Sequence, residues 1–404
     1  MTIFDEDFQK WIETNLNIDV ATLRLRHANA APEIKEAISQ IECRLKAGEK
    51  FSRCRSIGGN SSIVDRFCPP QWFPSPLSVE QATSLSVACF HASLIPKNCR
   101  LLDMTMGLGV DSATIATQNN IETTAIERDE RLCQFARANY RNLNNFTIVN
   151  ADSVDWLRNT SLTFDWIFID PARRDNVGHR VYNIHDCTPD VAEILPLMLA
   201  HAPNILIKLS PMLDITATIA DLKHVANIYI VEEKGEVREL LVHINHDAID
   251  DAESTNIVAV NESGRFEFNR MQEATATESY SEPIAGEYIY EPSPMIMKAG
   301  SFKLLCKRYN VGALHPNTHL YTSNCIIDEF PGKKYKIENV VPYSSKYIKR
   351  LAKDYPEASV SVRNFPLTAS QLRAKLKVKE SDVLKITGVT LKDGQRVLLI
   401  MNRI

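Results

Sequence analysis

Leu101-Leu102-Asp103-Met104-Thr105-Met106-Gly107-Leu108-Gly109-Val110-Asp111-Ser112 reads as a buried strand, an acidic residue, a Gly-x-Gly turn and the start of a helix. Glycines after an apolar strand let the backbone turn sharply and approach a ligand that a Cβ would push away. The following helix then offers N–H groups with no partner of their own. A dinucleotide fingerprint would carry a third glycine three places after Gly109, where Ser112 stands. No Gly-Lys-Ser/Thr marks a P-loop either, so pyrophosphate binding is disfavoured.

About twenty residues on, Thr123-Thr124-Ala125-Ile126-Glu127 reads as a second strand ending in a carboxylate, the place where doubly wound folds grip a ribose diol. Phe146 to Asp152 forms a third strand with a polar end. Phe164-Asp165-Trp166-Ile167-Phe168-Ile169-Asp170-Pro171-Ala172-Arg173-Arg174 forms a fourth, ending in Asp-Pro. Helical stretches separate them, so the pattern predicts a parallel sheet covered by helices, with ligands at the carboxyl ends of the strands. Taken singly, Asp103, Glu127 and Asp152 read as turn or capping residues. Their order and spacing carry the argument.

These four motifs resemble the class I S-adenosylmethionine-dependent methyltransferases over roughly residues 70–245. The resemblance implies a seven-stranded Rossmann-like α/β sheet whose last strand is antiparallel, with S-adenosyl-L-methionine as cofactor. Asp103, Met104, Gly107 and Gly109 would surround its methionine end, Glu127 its ribose and Asp152 its adenine. Asp170, Pro171 and Arg173 would line the transfer site. Gln81 and Thr83, before the first strand, are weaker cofactor contacts.

The chain of 404 residues is long enough for two or three domains. We divide it into a helical N-terminal region (1–68), the methyltransferase domain (69–246), a linker and following segment (247–325) and a smaller α+β domain (326–404), the last two resembling the ferredoxin-like segment and THUMP-like domain of the family named below. The helical region rests on the spacing of Phe8, Trp11, Ile12 and Leu16, and of Ile34, Ala37, Ile38, Ile41 and Leu45. Cys68-Pro69-Pro70-Gln71-Trp72-Phe73-Pro74 connects it to the sheet. A hairpin is expected to pair Ile257–Val260 with Phe266–Phe268, and Lys392-Asp393-Gly394-Gln395 is expected to close another near the end.

The acidic start lacks a signal peptide's basic and apolar parts, and no run of about twenty apolar residues occurs, so a cytoplasmic protein without membrane contact is expected. Nine scattered cysteines, with no Cys-x-x-Cys, favour neither a disulfide framework nor zinc. His179, His185 and His201 lack metal-ligand spacing, so no metal is expected. The net charge of −4 hides an asymmetry: residues 281–404 hold 20 Lys+Arg against 11 Asp+Glu, or +9, leaving −13 for the rest. A basic accessory part beside an acidic one points to a polyanionic substrate.

The C-terminal part resembles the THUMP-like domain, preceded by a ferredoxin-like segment, of a bacterial family of methyltransferase homologues whose fourth motif also reads Asp-Pro-Ala-Arg-Arg. That likeness implies structured RNA, tRNA or rRNA, as partner. Amino-group methyltransferases commonly read Asp-Pro-Pro-Tyr or Asn-Pro-Pro-Tyr there. Ala172 and Arg173 replace the second proline and the ring, which places base stacking by an aromatic side chain in doubt. The Asp-Pro-Pro-Arg of RNA uracil-5-methyltransferases is also similar, but Lys208-Leu209-Ser210-Pro211 holds no cysteine to attack the ring, and Cys187 reads as structural. Methylation of a base nitrogen is the expectation, with Arg173, Arg174 and Lys208, and Arg180 beside them, holding substrate phosphates. The alternatives are a methyltransferase acting on a small molecule or protein, and a non-catalytic RNA-binding protein that retains the pocket. Oligomeric state is not legible.

Overall fold

The computed structural model describes residues 4–51, 57–58, 71–173 and 183–404. It divides into two compact units, Met1–Glu233 with Arg238–Arg265, and Phe266–Ile404 with Lys234–Val237.

The first unit opens with α1 (Glu6–Asn15), α2 (Val20–Arg26) and α3 (Pro32–Phe51). Phe8, Ile12, Leu23, Ala37, Ile38 and Ile41 form their shared core. The apolar stripe of α3 drifts round the helix. Leu45, expected on the same face, is 50% exposed, while Cys43, Ala47 and Phe51 turn to a second cluster with Phe73, Val79, Leu85 and Ala88. A twenty-residue helix at 3.6 residues per turn can thus serve two cores.

Next come α4 (Pro76–Gln81) and α5 (Leu85–Leu94). Alternation follows: β1 (Arg100–Asp103), α6 (Val110–Asn119), β2 (Glu122–Glu127), α7 (Glu130–Tyr140), β3 (Phe146–Asn150), α8 (Ser153–Asn159) and β4 (Trp166–Ile169). Two short strands, β5 (Ala172–Arg173) and β6 (Cys187–Thr188), pair antiparallel with each other. The run continues through α9 (Val191–His201), β7 (Asn204–Leu209), α10 (Ile215–Asp221), β8 (Val225–Glu233), β9 (Glu236–Asn245) and β10 (Asn256–Asn261). With β11 (Gly264–Asn269) at one edge, the strand order is β11-β10-β8-β9-β7-β4-β1-β2-β3. Strands β1, β2, β3, β4 and β7 are mutually parallel, and β9 runs antiparallel to β7. Leu101, Leu102, Ile167, Phe168, Ile205 and Leu206 are buried almost completely, as strands covered on both faces require.

Strands β3-β2-β1-β4-β7-β9-β8 are the seven expected, with one antiparallel strand among them. The sheet does not stop there: β10 adds beside β8, parallel to it. Ile257, Val258, Ala259 and Val260 are all buried. Their continuous apolar run suits a strand inside the sheet, and the expected hairpin partner β11 is its other neighbour. Strand β11 (Gly264–Asn269) follows a turn in which Asn261 Oδ1 accepts from the Ser263 and Gly264 amides.

In the second unit, α11 (Arg270–Thr275) leads to β12 (Tyr288–Pro292), α12 (Pro294–Ala299), α13 (Phe302–Tyr309), β13 (Gly312–Ala313), β14 (Tyr321–Ser323), β15 (Gly332–Pro342), α14 (Ser345–Asp354), β16 (Ser359–Arg363), α15 (Ala369–Leu376), β17 (Lys385–Thr390) and β18 (Arg396–Arg403). One mixed sheet, β13-β14-β12-β15-β18-β17-β16, runs through it. Gly394, at φ 85°, makes the expected tight turn between β17 and β18. No described helix is long and apolar enough to cross a membrane.

Candidate functional site

Four consecutive helices of the first unit begin on an aspartate. Asp129, Asp152, Asp190 and Asp214 each accept hydrogen bonds from first-turn amides of α7, α8, α9 and α10, the ordinary way to satisfy those donors. Helix α6 is the exception. Its N-cap is Gly109 at φ 79°, with no side-chain hydrogen bond. Those uncapped amides border a cavity of about 890 Å³ at the carboxyl ends of β1, β2, β3 and β4.

The two glycines differ. A Cβ on Gly109 would meet the Tyr140 ring at 2.8 Å; on Gly107, at φ 56°, it would meet nothing nearer than Thr105 O at 4.0 Å. Gly109 lets the loop close against α7, and Gly107 keeps the cavity wall bare. Glu127 joins loop and strand, its Oε2 accepting from Gly107 N and its Oε1 from Asp129 N, both at 2.9 Å. Each oxygen keeps a lone pair toward the cavity. Asp152 caps α8 through Oδ1 alone, 3.0 Å from both Val154 N and Asp155 N. The capping and ligand-facing readings of this residue are therefore compatible.

Asp103 is 1% exposed. Ser112 Oγ donates to one of its oxygens and Thr105 N to the other at 2.8 Å, so its hydrogen bonds serve the loop. Burial raises its carboxyl to about 7. The Met104 amide donates to Phe168 O at 3.0 Å, locking β1 to β4 at the cavity floor.

Asp170, half-exposed at the end of β4, has its amide fixed by Thr105 Oγ1 at 2.7 Å. Its carboxylate receives Lys208 Nζ at 2.6 Å, and Lys208 also donates to Thr83 Oγ1 at 3.1 Å. Lys208 is mostly buried. In this structure its ammonium is held in an ion pair with Asp170, since β7 lies beside β4. Burial opposes the ammonium charge, but Asp170, Asp111 and Glu239 outweigh it and hold the pKa above its ordinary value.

The chain of contacts goes deeper. Thr83 Oγ1 donates to Asp111 Oδ2 at 2.5 Å. His91 Nδ1 lies 2.9 Å from Asp111 Oδ1, and its Nε2 contacts Glu239 Oε1. His91 is fully buried. Burial disfavours its charge, yet the two flanking carboxylates raise it to about 9. From sequence, Thr83 is only a weak cofactor contact, and Asp111, His91 and Glu239 are not singled out for a role. A lone histidine in the otherwise apolar Leu85–Leu94 stretch was the available signal.

Pro171, Ala172, Thr188 and Pro189 complete the wall, and Gln81 and Thr83 line it from the α4–α5 side. That segment is tied down by Gln40, which bonds both backbone groups of Phe73, and by Asn139, which bonds those of Trp72. The backbone of Arg173 pairs with buried Cys187. The Arg173 side chain, Arg174, His179 and Arg180 lie outside the described residues. Among the described lining residues, Asp103, Asp111, Glu127, Asp129, Asp152 and Asp170 are acidic and only Arg128 is basic. No described group of His, Cys, Asp and Glu could hold a metal ion.

A ferredoxin-like domain model matches residues 288–331 and a THUMP domain-like model matches residues 332–403. Among solved structures, a protein of Porphyromonas gingivalis W83 to which a methyltransferase function is ascribed is 30% identical, with all of both chains covered and a TM-score of 0.83. TrmK of M. capricolum, solved with S-adenosyl-homocysteine, is 12% identical over 40% of this chain and 68% of its own, with a TM-score of 0.32. At that overlap it carries no argument here. No curated protein matches.

Proposed function

The chain belongs to the bacterial family of that P. gingivalis protein, in which a methyltransferase-type sheet precedes ferredoxin-like and THUMP-like domains, and from this membership we propose that it methylates a base nitrogen of structured RNA, tRNA or rRNA, using S-adenosylmethionine. The carrying observation is the cavity's charge: among the described lining residues Glu127, Asp129 and Asp152 stand against Arg128 alone, while Asp111 and Asp170 are already paired with His91 and Lys208. Such a wall repels a pyrophosphate and suits a ligand bearing a sulfonium and an ammonium group.

The residues fit that ligand. Bare Gly107 and the uncapped start of α6 leave room and donors for its amino-acid end, while Glu127 offers two oxygens to a diol and Asp152 its free Oδ2 to an amino group. When bound, S-adenosylmethionine supplies a methyl group on a positively charged sulfur, open to in-line displacement.

Asp170 accepts from the N–H of the target base, which orients the nitrogen lone pair toward the cofactor side. Lys208 holds that carboxylate in place and favours its ionised form against the burial that raises its pKa. As the new N–C bond forms and the S–C bond breaks, Asp170 steadies the positive charge that builds on the nitrogen. The nitrogen then passes that N–H proton to the Asp170 carboxylate, from which it leaves to solvent, with the sulfur left as a neutral thioether. Arg173 and Arg174, following the Asp170-Pro171 step, would meet the phosphates flanking the target nucleotide.

Calorimetry with S-adenosylmethionine and nucleoside mass spectrometry of RNA from cells with and without the gene test this together. One methylated nucleoside is expected to vanish without the gene, return with the wild type and stay absent with Asp170→Ala. Absence of binding heat refutes the cofactor assignment. An unchanged nucleoside profile alongside methylation of a small molecule or protein refutes the RNA assignment.

A further inference from the structure

Helix α14 carries Lys346, Lys349, Arg350 and Lys353 at positions i, i+3, i+4 and i+7, and all four are exposed. This spacing puts them on one face. The opposite face is spent: Leu351 is buried, and Tyr347 and Ile348 pack with it against Val360, Leu372, Ile386 and Ile400. Arg350 pairs with Asp354 at 3.2 Å. The three lysines have no carboxylate partner among the described residues. Exposed Lys375 of α15 lies near the start of α14, its Nζ 3.3 Å from the Tyr343 hydroxyl just before that helix.

Lys353 in the last turn suits the helix dipole and Arg350 pairs with Asp354, but the helix calls for little else of this arrangement. Like charges three and four residues apart repel. Lys346 sits in the first turn, where the helix dipole disfavours a cation, and Ser344 makes no capping hydrogen bond there. A local arrangement that works against its own element is the signature of a surface kept for a partner. The partner is anionic and repeating, since the stripe spans about 10 Å of helix at 1.5 Å per residue. Insertion into a membrane is excluded, because the apolar face it needs is already buried in the core.

We propose that α14 is the phosphate-tracking surface of the second unit, with Lys346, Lys349 and Lys353 contacting consecutive phosphates of an RNA strand and Lys375 extending the track. This rests on the RNA reading above and assigns its docking face. Lysines act here as point charges rather than base readers, so the contact is independent of nucleotide sequence.

The test is fluorescence anisotropy of the full chain with labelled bulk tRNA at 50–300 mM KCl. We expect the combined variant Lys346→Gln, Lys349→Gln, Lys353→Gln to lower the slope of log K against log salt by about 2 to 3, and to weaken binding at least about tenfold near 150 mM. Its melting temperature should match or exceed that of the wild type, because repulsion along the helix is relieved. A matched variant, Lys307→Gln with Lys333→Gln and Lys336→Gln, removes three exposed charges of the same unit and should leave the slope nearly unchanged. If wild type binds and the α14 variant keeps its slope, or the matched variant loses as much, the docking face is wrong while the RNA reading stands. Equal displacement of tRNA by polyglutamate overturns the choice of RNA for this face. If the wild type binds no RNA even at 50 mM, the RNA reading falls and this inference with it.

Discussion

Gly107 and Gly109 look equivalent as letters of one motif, yet a methyl added to each meets different things. At Gly109 it meets the Tyr140 ring at 2.8 Å on a left-handed backbone, so Gly109→Ala should destabilise the first unit by about 2–3 kcal/mol. At Gly107 only the positive φ opposes it, costing about 1 kcal/mol. The smaller folding defect should carry the larger loss of S-adenosylmethionine affinity, since that methyl enters open space at the cavity wall. Urea titration alongside calorimetry separates the two effects, and equal ratios of affinity to stability loss in both variants would refute the division. The sequence showed that glycines belonged here because neighbours in the chain define a turn. It could not show Lys208 on Asp170 or His91 between Asp111 and Glu239, since those partners are 38, 20 and 148 residues apart and meet only once the strand order is known.

At the scale of elements, period and punctuation made the alternating strands and helices legible from Leu101 to Asn245. The fate of Ile257–Val260 was less so, because a short apolar run fits an edge hairpin and a sheet strand equally. In the second unit, residues matched by two separate family models share one sheet, β12 pairing with β15 from Tyr288↔Lys336 to Pro292↔Gly332. Glu291 of β12 reinforces that joint. It receives Lys385 Nζ at 2.7 Å, Arg363 at 2.9 Å and the Tyr335 hydroxyl at 3.1 Å. Burial works against its charge, but Lys385 and Arg363 prevail and bring the carboxyl down to about 2. Glu291→Gln leaves two cations facing a neutral amide and should destabilise the second unit by about 2–3 kcal/mol near neutral pH. The wild-type advantage is complete above the ordinary value of 4.5 and should disappear as pH falls through about 2. Urea midpoints of both proteins along that range are the measurement, and an advantage that persists at pH 2 would show that packing, not charge, holds the joint.

For the molecule as a whole, stability against pH sums groups from both units, and the sign of each follows from where its folded pKa lies. His91 titrates near 9 in the fold against an ordinary 6.5, so its contribution is complete below pH 6.5 and is lost as pH rises through about 9. At about 1.4 kcal/mol per unit this amounts to up to about 3 kcal/mol. Two other groups bend the same curve. Asp103, raised by burial from 3.8 to about 7, weighs against the fold as it loses its proton across that interval. Lys50, lowered mainly by burial to about 8, favours the fold increasingly between there and 10.5. A raw profile therefore blurs the histidine, whereas the difference between wild type and His91→Gln isolates it. That difference should be flat from pH 5 to 6.5 and shrink steadily toward pH 9, read from urea unfolding of the first unit's tryptophans. A flat difference across the whole range would mean that the imidazole is neutral between its carboxylates, and would remove the charge that anchors Asp111, Thr83 and, through them, Lys208 beside Asp170.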